Sequence, residues 1–261
     1  MDVFMDVCRK QVTLFLIAMG FFTRIPMPGW LKVDAENLNQ ANRYFGLVGL
    51  LVGGISALVY GLSTQFLPAS VSIILAMMTG IVVTGGFHED GLADTADGLG
   101  GGWTVADKLR IMKDSTIGTY GALALVMALM LKFVVLSELA LYNPEVVIVA
   151  LLVGHCLSRV LAASIIFSQA YIRDDASSKS KPLAQNQTLN ELLILLATGV
   201  AVLWFSNLSA AVYIAVGLVL LRWVIIRFFH RQIGGYTGDT LGAAQQVSEL
   251  TCYLILLGFL L

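Results

Sequence analysis

The sequence predicts an all-α protein, a polytopic helical bundle embedded in a membrane, and three observations carry that reading. Of 261 residues, 57% are hydrophobic and only 13% charged, with a mean hydropathy of +0.82, against roughly half apolar and a quarter charged in soluble domains. Apolar stretches near the ~20 residues needed to cross a bilayer recur along the chain. The loop lysines and arginines fall on alternate loops only.

In chain order, residues 12–22 follow Arg9 and Lys10 and imitate a signal peptide, but Thr23-Arg24-Ile25-Pro26 stands where a small-residue cleavage site would be. This segment is too short to span, so a short N-terminal re-entrant or interfacial helix is expected. Spans are expected at 45–67, 71–87, 118–136, 146–167, 192–205, 210–226 and from 239 to the C-terminus, about seven transmembrane helices in all. The fifth is short. Residues 1–261 read as a single membrane-embedded domain whose polar stretches are 26–44, 88–115 and 169–191, without an evident internal repeat.

Counting from a cytoplasmic N-terminus, alternate loops carry Arg24, Lys32 and Arg43; then Lys108, Arg110 and Lys113; then Arg173, Lys179 and Lys181; then Arg227 and Arg231. The opposite loops carry none. Positive charge is retained in the cytoplasm during insertion, so the polar loops face that side. The net charge of −1 offers no surface for nucleic acid. Cys8, Cys156 and Cys252 are scattered, odd in number and without metal-ligand spacing.

At the expected cytoplasmic end of the second span stands His88-Glu89-Asp90-Gly91-Leu92-Ala93-Asp94-Thr95-Ala96-Asp97-Gly98. Asp90, Asp94 and Asp97 occupy i, i+4 and i+7, one helical face within roughly a 60° arc, whereas Glu89 points about 100° away. Three like charges on one face repel, and at membrane depth such residues are rare and usually functional. A divalent cation would offset them. Oxygen-only ligands favour magnesium, or manganese, over zinc, and magnesium commonly takes one or two carboxylates together with substrate phosphates. The implied substrate is a diphosphate. The competing reading is a solvated acidic helix end.

Further polar residues belong to the same side. Lys113, Asp114 and Ser115 lead into the third span; Lys113 is either a phosphate contact or a topology signal, and Asp114 is the stronger candidate. Gly234-Gly235-Tyr236-Thr237-Gly238-Asp239 feeds the last helix, and such a turn can present free N–H groups to an anion. Gly235, Thr237 and Gly238 are therefore candidate substrate contacts, and Asp239 is either functional or a plain N-cap. Asp239, Gly242, Gln246 and Glu249 share one helical face, and Glu249, standing within apolar sequence, is a candidate substrate contact, as is Ser115. Arg24 and His88 are further candidate substrate contacts. Arg159, with His155 one turn before it, needs a partner in the bundle and is either structural or reaches substrate, while Lys132 and Arg222 either snorkel or pair with neighbours.

The chain resembles the adenosylcobinamide-GDP ribazoletransferase family, the membrane-bound cobalamin synthases. The resemblance is carried by Phe22-Thr23-Arg24-Ile25-Pro26-Met27-Pro28 and by segments 85–98, 112–121 and 234–244, and the family pattern falls on His88, Asp90, Asp94 and Asp97. It implies a single catalytic domain in the bacterial cytoplasmic (inner) membrane. The implied reaction is magnesium-dependent: the cobinamide phosphate of adenosylcobinamide-GDP passes to the ribose 3′-hydroxyl of α-ribazole or α-ribazole 5′-phosphate, releasing GMP. On this reading Asp90 and Asp94, with Asp97 or Asp114, hold metal against the diphosphate. By analogy with CDP-alcohol phosphotransferases Asp97 is the candidate base, and Asp239 completes the catalytic set.

Two alternatives stay open. A lipid-forming CDP-alcohol phosphotransferase has similar chemistry, but here Asp90-Gly91 is followed by Leu92-Ala93-Asp94 rather than by that family's Asp-Gly-x-x-Ala-Arg run. A corrinoid or cation transporter would place its acids near the midplane between repeats. Besides the lipid bilayer, a second copy of the chain is a conceivable partner, giving a homo-oligomer.

Overall fold

The computed structural model describes residues 2–172 and 186–260, so the basic loop of Arg173, Lys179 and Lys181 lies outside the described residues. Among the described residues there are eleven α-helices and one 3-10 turn. The first helix, α1 (Asp2–Phe22), is longer than the short segment expected. No glycine or proline interrupts residues 2–11, so the polar run continues the helix rather than merely preceding it. One face of α1, with Leu14, Ile17, Ala18 and Phe22, is buried against the bundle.

The next helix, α2 (Ala35–Ala41), is capped by Asp34, whose carboxylate accepts from Asn37 N at 2.7 Å. A 3-10 turn, Asn42–Tyr44, leads into α3 (Phe45–Ser63). There follow α4 (Ala69–Thr84), α5 (Phe87–Gly101), α6 (Val105–Met112), α7 (Thr119–Tyr142), α8 (Pro144–Ser168), α9 (Leu189–Leu203), α10 (Leu208–Ile233) and α11 (Gly238–Leu260). The seven expected spans correspond to α3, α4, α7, α8, α9, α10 and α11. Among the described residues five helices are long and apolar enough to cross alone, and α4 passes only together with α5. The 15 residues of α9 reach about 22 Å at 1.5 Å per residue, short of a ~30 Å hydrocarbon core.

Of the apolar window of α8, 78% is buried, against 22% for α7 and α10, so α8 is the central post and the other two face outward. Close approach sets the post: a Cβ on Gly53 of α3 would stand 2.6 Å from Leu151 O of α8, and one on Gly154 would stand 2.9 Å from the Tyr253 hydroxyl of α11. Small residues commonly let membrane helices approach in this way.

The corner between α4 and α5 positions the site. Gly85 and Gly86 both adopt φ 70°, the left-handed region that favours glycine, and the chain turns by 86°. The carboxylate segment therefore does not prolong the second span but forms a separate helix packed against α7 and α11. At the same end of the bundle, Leu109 and Met112 of α6 pack with Ile233 of α10, and Lys108 Nζ donates to Gln232 Oε1 at 2.6 Å. A parallel bridge joins Tyr171 to Tyr236, with Ile172 N donating to Tyr236 O at 2.8 Å and Tyr236 N to Ala170 O at 3.0 Å.

Candidate active site

The crossing of α5 and α11 brings separate carboxylates together. Gly91 and Gly242 touch there: a Cβ on either would lie 3.1 Å from the other's Cα. Asp90 and Asp94 on α5 and Asp239 on α11 consequently open into one cavity of about 1110 Å³. Asp94 is half-buried and lies in the field of Asp90, Asp239 and Asp97. Part of the cavity lining is apolar, with Ile17 and Phe21 of α1 and Met27 and Leu31 of the loop after it. Arg24, Lys113, Ser115, Thr237 and Gly238 also line the cavity, whereas no histidine or cysteine does. Arg24 is held at the α4–α5 corner, where its N–H donates to Val83 O at 2.8 Å and its Cδ would lie 3.1 Å from a Cβ on Gly85.

The remaining candidates stand elsewhere. Asp97 shares the helical face of Asp90 and Asp94 but lies farther along it, buried against α7. Its two oxygens accept from Gly118 N at 2.7 Å and Gly121 N at 2.8 Å, so it caps a neighbouring helix and favours that helix's positive end. Hence the three-carboxylate face divides: two members enter the cavity and the third holds α7. Asp114 is exposed outside the cavity; its Oδ1 accepts from Thr116 N at 3.0 Å, and that bond holds its carboxyl below the usual range. The Asp107 carboxyl is likewise lowered, by its hydrogen bonds with Thr104. His88 is buried, stacked on Phe22 with ring centroids 5.5 Å apart. Gly235 also lies outside the cavity, where a Cβ would come within 2.8 Å of Ile172.

Capping of α11 falls to Thr237 rather than Asp239. Thr240 N donates to Thr237 Oγ1 at 3.2 Å, and Thr237 N donates back to Thr240 Oγ1 at 2.8 Å. The turn's N–H groups at Gly234, Tyr236 and Thr237 are thus already engaged, which leaves less of the turn for an anion than its glycines suggest. Thr237 as cap was legible in principle, since a Thr-x-x-Thr pattern, Thr237 to Thr240, straddles the helix start.

Behind the cavity lies a buried polar cluster. Glu249 Oε1 pairs with Lys132 Nζ at 2.9 Å and accepts from Tyr253 OH at 2.9 Å, and Oε2 accepts from Gln245 Nε2 at 2.7 Å. Gln246 Nε2 donates to Glu89 Oε1 at 3.0 Å and Gln246 Oε1 accepts from Lys132 at 3.3 Å. Arg159 NH1 donates to His155 O at 2.9 Å, and both residues line the small cavity shared with Glu89 and Glu249. Glu249 therefore belongs to this cluster and not to the main cavity.

The chain matches the family described as cobalamin-5-phosphate synthase over residues 14–257. It is 78% identical to the adenosylcobinamide-GDP ribazoletransferase of Shewanella woodyi over 98% of this chain and 99% of the relative. It is 65% identical to the protein of that name from Shewanella halifaxensis over 97% and 98%, and 63% identical to that from Shewanella baltica over 95% of each. No solved structure matches.

Proposed function

Because the chain belongs to the cobalamin-5-phosphate synthase family, we propose that it performs the closing step of cobalamin synthesis. It joins adenosylcobinamide-GDP to α-ribazole or α-ribazole 5′-phosphate and releases GMP. The observation that carries this reading is the meeting of Asp90, Asp94 and Asp239, from two helices, in one cavity with Arg24 and Lys113. A bond forms between the ribose 3′-oxygen and the cobinamide phosphorus while the anhydride bond breaks, GMP leaving with the electron pair. Arg24 and Lys113 bind phosphate oxygens as positive point contacts. The hydroxyl proton passes to a carboxylate of the cavity; Asp97, occupied by two N–H donors on α7, is not the acceptor. The apolar wall of Ile17, Phe21, Met27 and Leu31 suits the broad face of a macrocycle.

The donor set fits magnesium. It is oxygen-only, among the described residues no lysine, arginine or histidine forms an ion pair with the three like charges, and two helices contribute. Among the described residues no three carboxylate, histidine or cysteine groups stand together as a complete metal site; magnesium commonly takes one or two carboxylates and completes its shell with water and substrate phosphate. Held by one or two of Asp90, Asp94 and Asp239, it would supply charge neutralisation at the transferring phosphoryl group.

We assign this mouth to the cytoplasmic side, a reading supported by the alternate-loop distribution of lysine and arginine, and the membrane to the bacterial inner membrane, as the family resemblance implies. Single cysteines at Trp103 and Phe66 in a cysteine-free chain should then label from opposite sides; labelling of both by an impermeant reagent outside intact cells would reverse the assignment. For the reaction itself, the purified protein is supplied with adenosylcobinamide-GDP, α-ribazole and magnesium. GMP release that requires all three is expected, and its absence from folded protein would sink the reading.

A further inference from the structure

The mouth presents a mechanical difficulty. Asp90 and Asp94 repel Asp239 across the crossing of α5 and α11, so the interface that must align them is pushed apart when no cation is present. Something on the same interface has to hold it closed. Gly91 and Gly242 permit contact but, lacking side chains, supply little attraction.

The tie stands one turn farther along. Contacts between the helices run in antiparallel order, from Gly91 against Asp239 and Gly242 through His88 against Gly242 to Glu89 against Gln246. Gln246 Nε2 donates to Glu89 Oε1 at 3.0 Å, and Glu89 immediately precedes Asp90. Gln246 is itself fixed: its Oε1 accepts from Lys132 Nζ at 3.3 Å, and Lys132 is ion-paired with Glu249 at 2.9 Å. At 2% exposure Gln246 has no water to fall back on, and buried hydrogen bonds to charged groups are among the stronger ones. The chain of contacts therefore begins on α7, passes through α11 and ends on the residue beside the first cavity carboxylate.

We propose that Glu89 and Gln246 are positioning residues. Their hydrogen bond, anchored on Lys132 and Glu249, clamps α5 to α11 so that Asp90, Asp94 and Asp239 keep facing the same cavity. This rests on the metal reading given above, and it assigns work to Glu89, which points away from the carboxylate face. Glu89 does not line the main cavity; it acts through α5.

The test uses the full-length protein in detergent. Manganese binding is titrated by electron paramagnetic resonance without substrate, and hydrogen exchange of residues 87–101 is followed without metal. Gln246→Leu should weaken manganese binding about tenfold, on the scale found for groups that hold metal ligands in place, and should raise exchange in α5 but not in α8. Glu89→Leu should do the same, the double variant should be no worse than either single one, and Glu89→Gln, which keeps an acceptor oxygen, should stay within about twofold of the parent. Wild-type affinity and unchanged α5 exchange in Gln246→Leu would overturn the proposal. Should Gln246→Leu fail to fold, Glu89→Leu and Glu89→Gln decide alone, since equal behaviour of the two contradicts a clamp that needs only an acceptor. If the parent protein binds no manganese, the metal reading falls, whereas the clamp then stands or falls on α5 exchange.

Discussion

Carboxylates of α5 and α11 occur in two settings about 15 Å apart along α11, as ten residues at 1.5 Å each place them, and the settings are opposites. At the inner one, both oxygens of Glu249 are engaged by Lys132, Tyr253 and Gln245 of the same chain. At the mouth, among the described residues, no lysine, arginine or histidine forms an ion pair with Asp90, Asp94 or Asp239. A carboxylate paired within the chain stabilises the fold, as Glu249 does; the mouth carboxylates are the ones the proposed reading gives to a ligand. The contrast separates Glu249 from Asp239 although both lie on one face of one helix.

The largest effect should come from breaking the inner setting. Glu249→Leu strands Lys132 as a buried cation, and removing one partner of a buried pair costs about 3–5 kcal/mol. Little folded protein should be recovered by size-exclusion chromatography, and adding Lys132→Met should restore part of the yield. If Glu249→Leu alone were as thermally stable as the parent, the two settings would not differ as described.

At the mouth the pattern should invert. Asp94→Asn is expected to lower GMP release by about 10²–10³-fold, the scale for losing a group aimed at transition-state charge, while its melting temperature is held or raised because repulsion is relieved. Asp97→Asn sharpens the boundary. Asparagine offers one acceptor oxygen where two N–H donors arrive from Gly118 and Gly121, so it should lose about 1.5–3 kcal/mol of stability and keep activity at low temperature. Thermal melts beside rate measurements read both variants; a stable but inactive Asp97→Asn would return Asp97 to the chemistry.

The bundle was legible because hydropathy and loop charge act along the chain, residue by residue. The pairing of Asp90 and Asp94 was legible for the same reason, since i and i+4 is a local relation. Asp97 was not separable, because its partners, Gly118 and Gly121, come from another helix and helical periodicity carries no information about them. The apolar wall of Ile17, Phe21, Met27 and Leu31 was invisible: apolar residues in an apolar chain look like core. Glu249 stood out as polar in apolar sequence, but only the fold reveals that Lys132 satisfies it. Asp239 as cap or ligand was undecided in sequence, and Thr237 resolves the capping.

The central claim is that Asp239 completes, from α11, the charge site begun by Asp90 and Asp94 on α5. Its most direct test is GMP release by Asp239→Asn across a magnesium titration. Asparagine caps a helix about as well as aspartate, so a purely structural Asp239 would leave the curve in place. The account predicts a loss of about tenfold or more at low magnesium, the cost of removing a charged metal contact. Near-normal activity at low magnesium would contradict it.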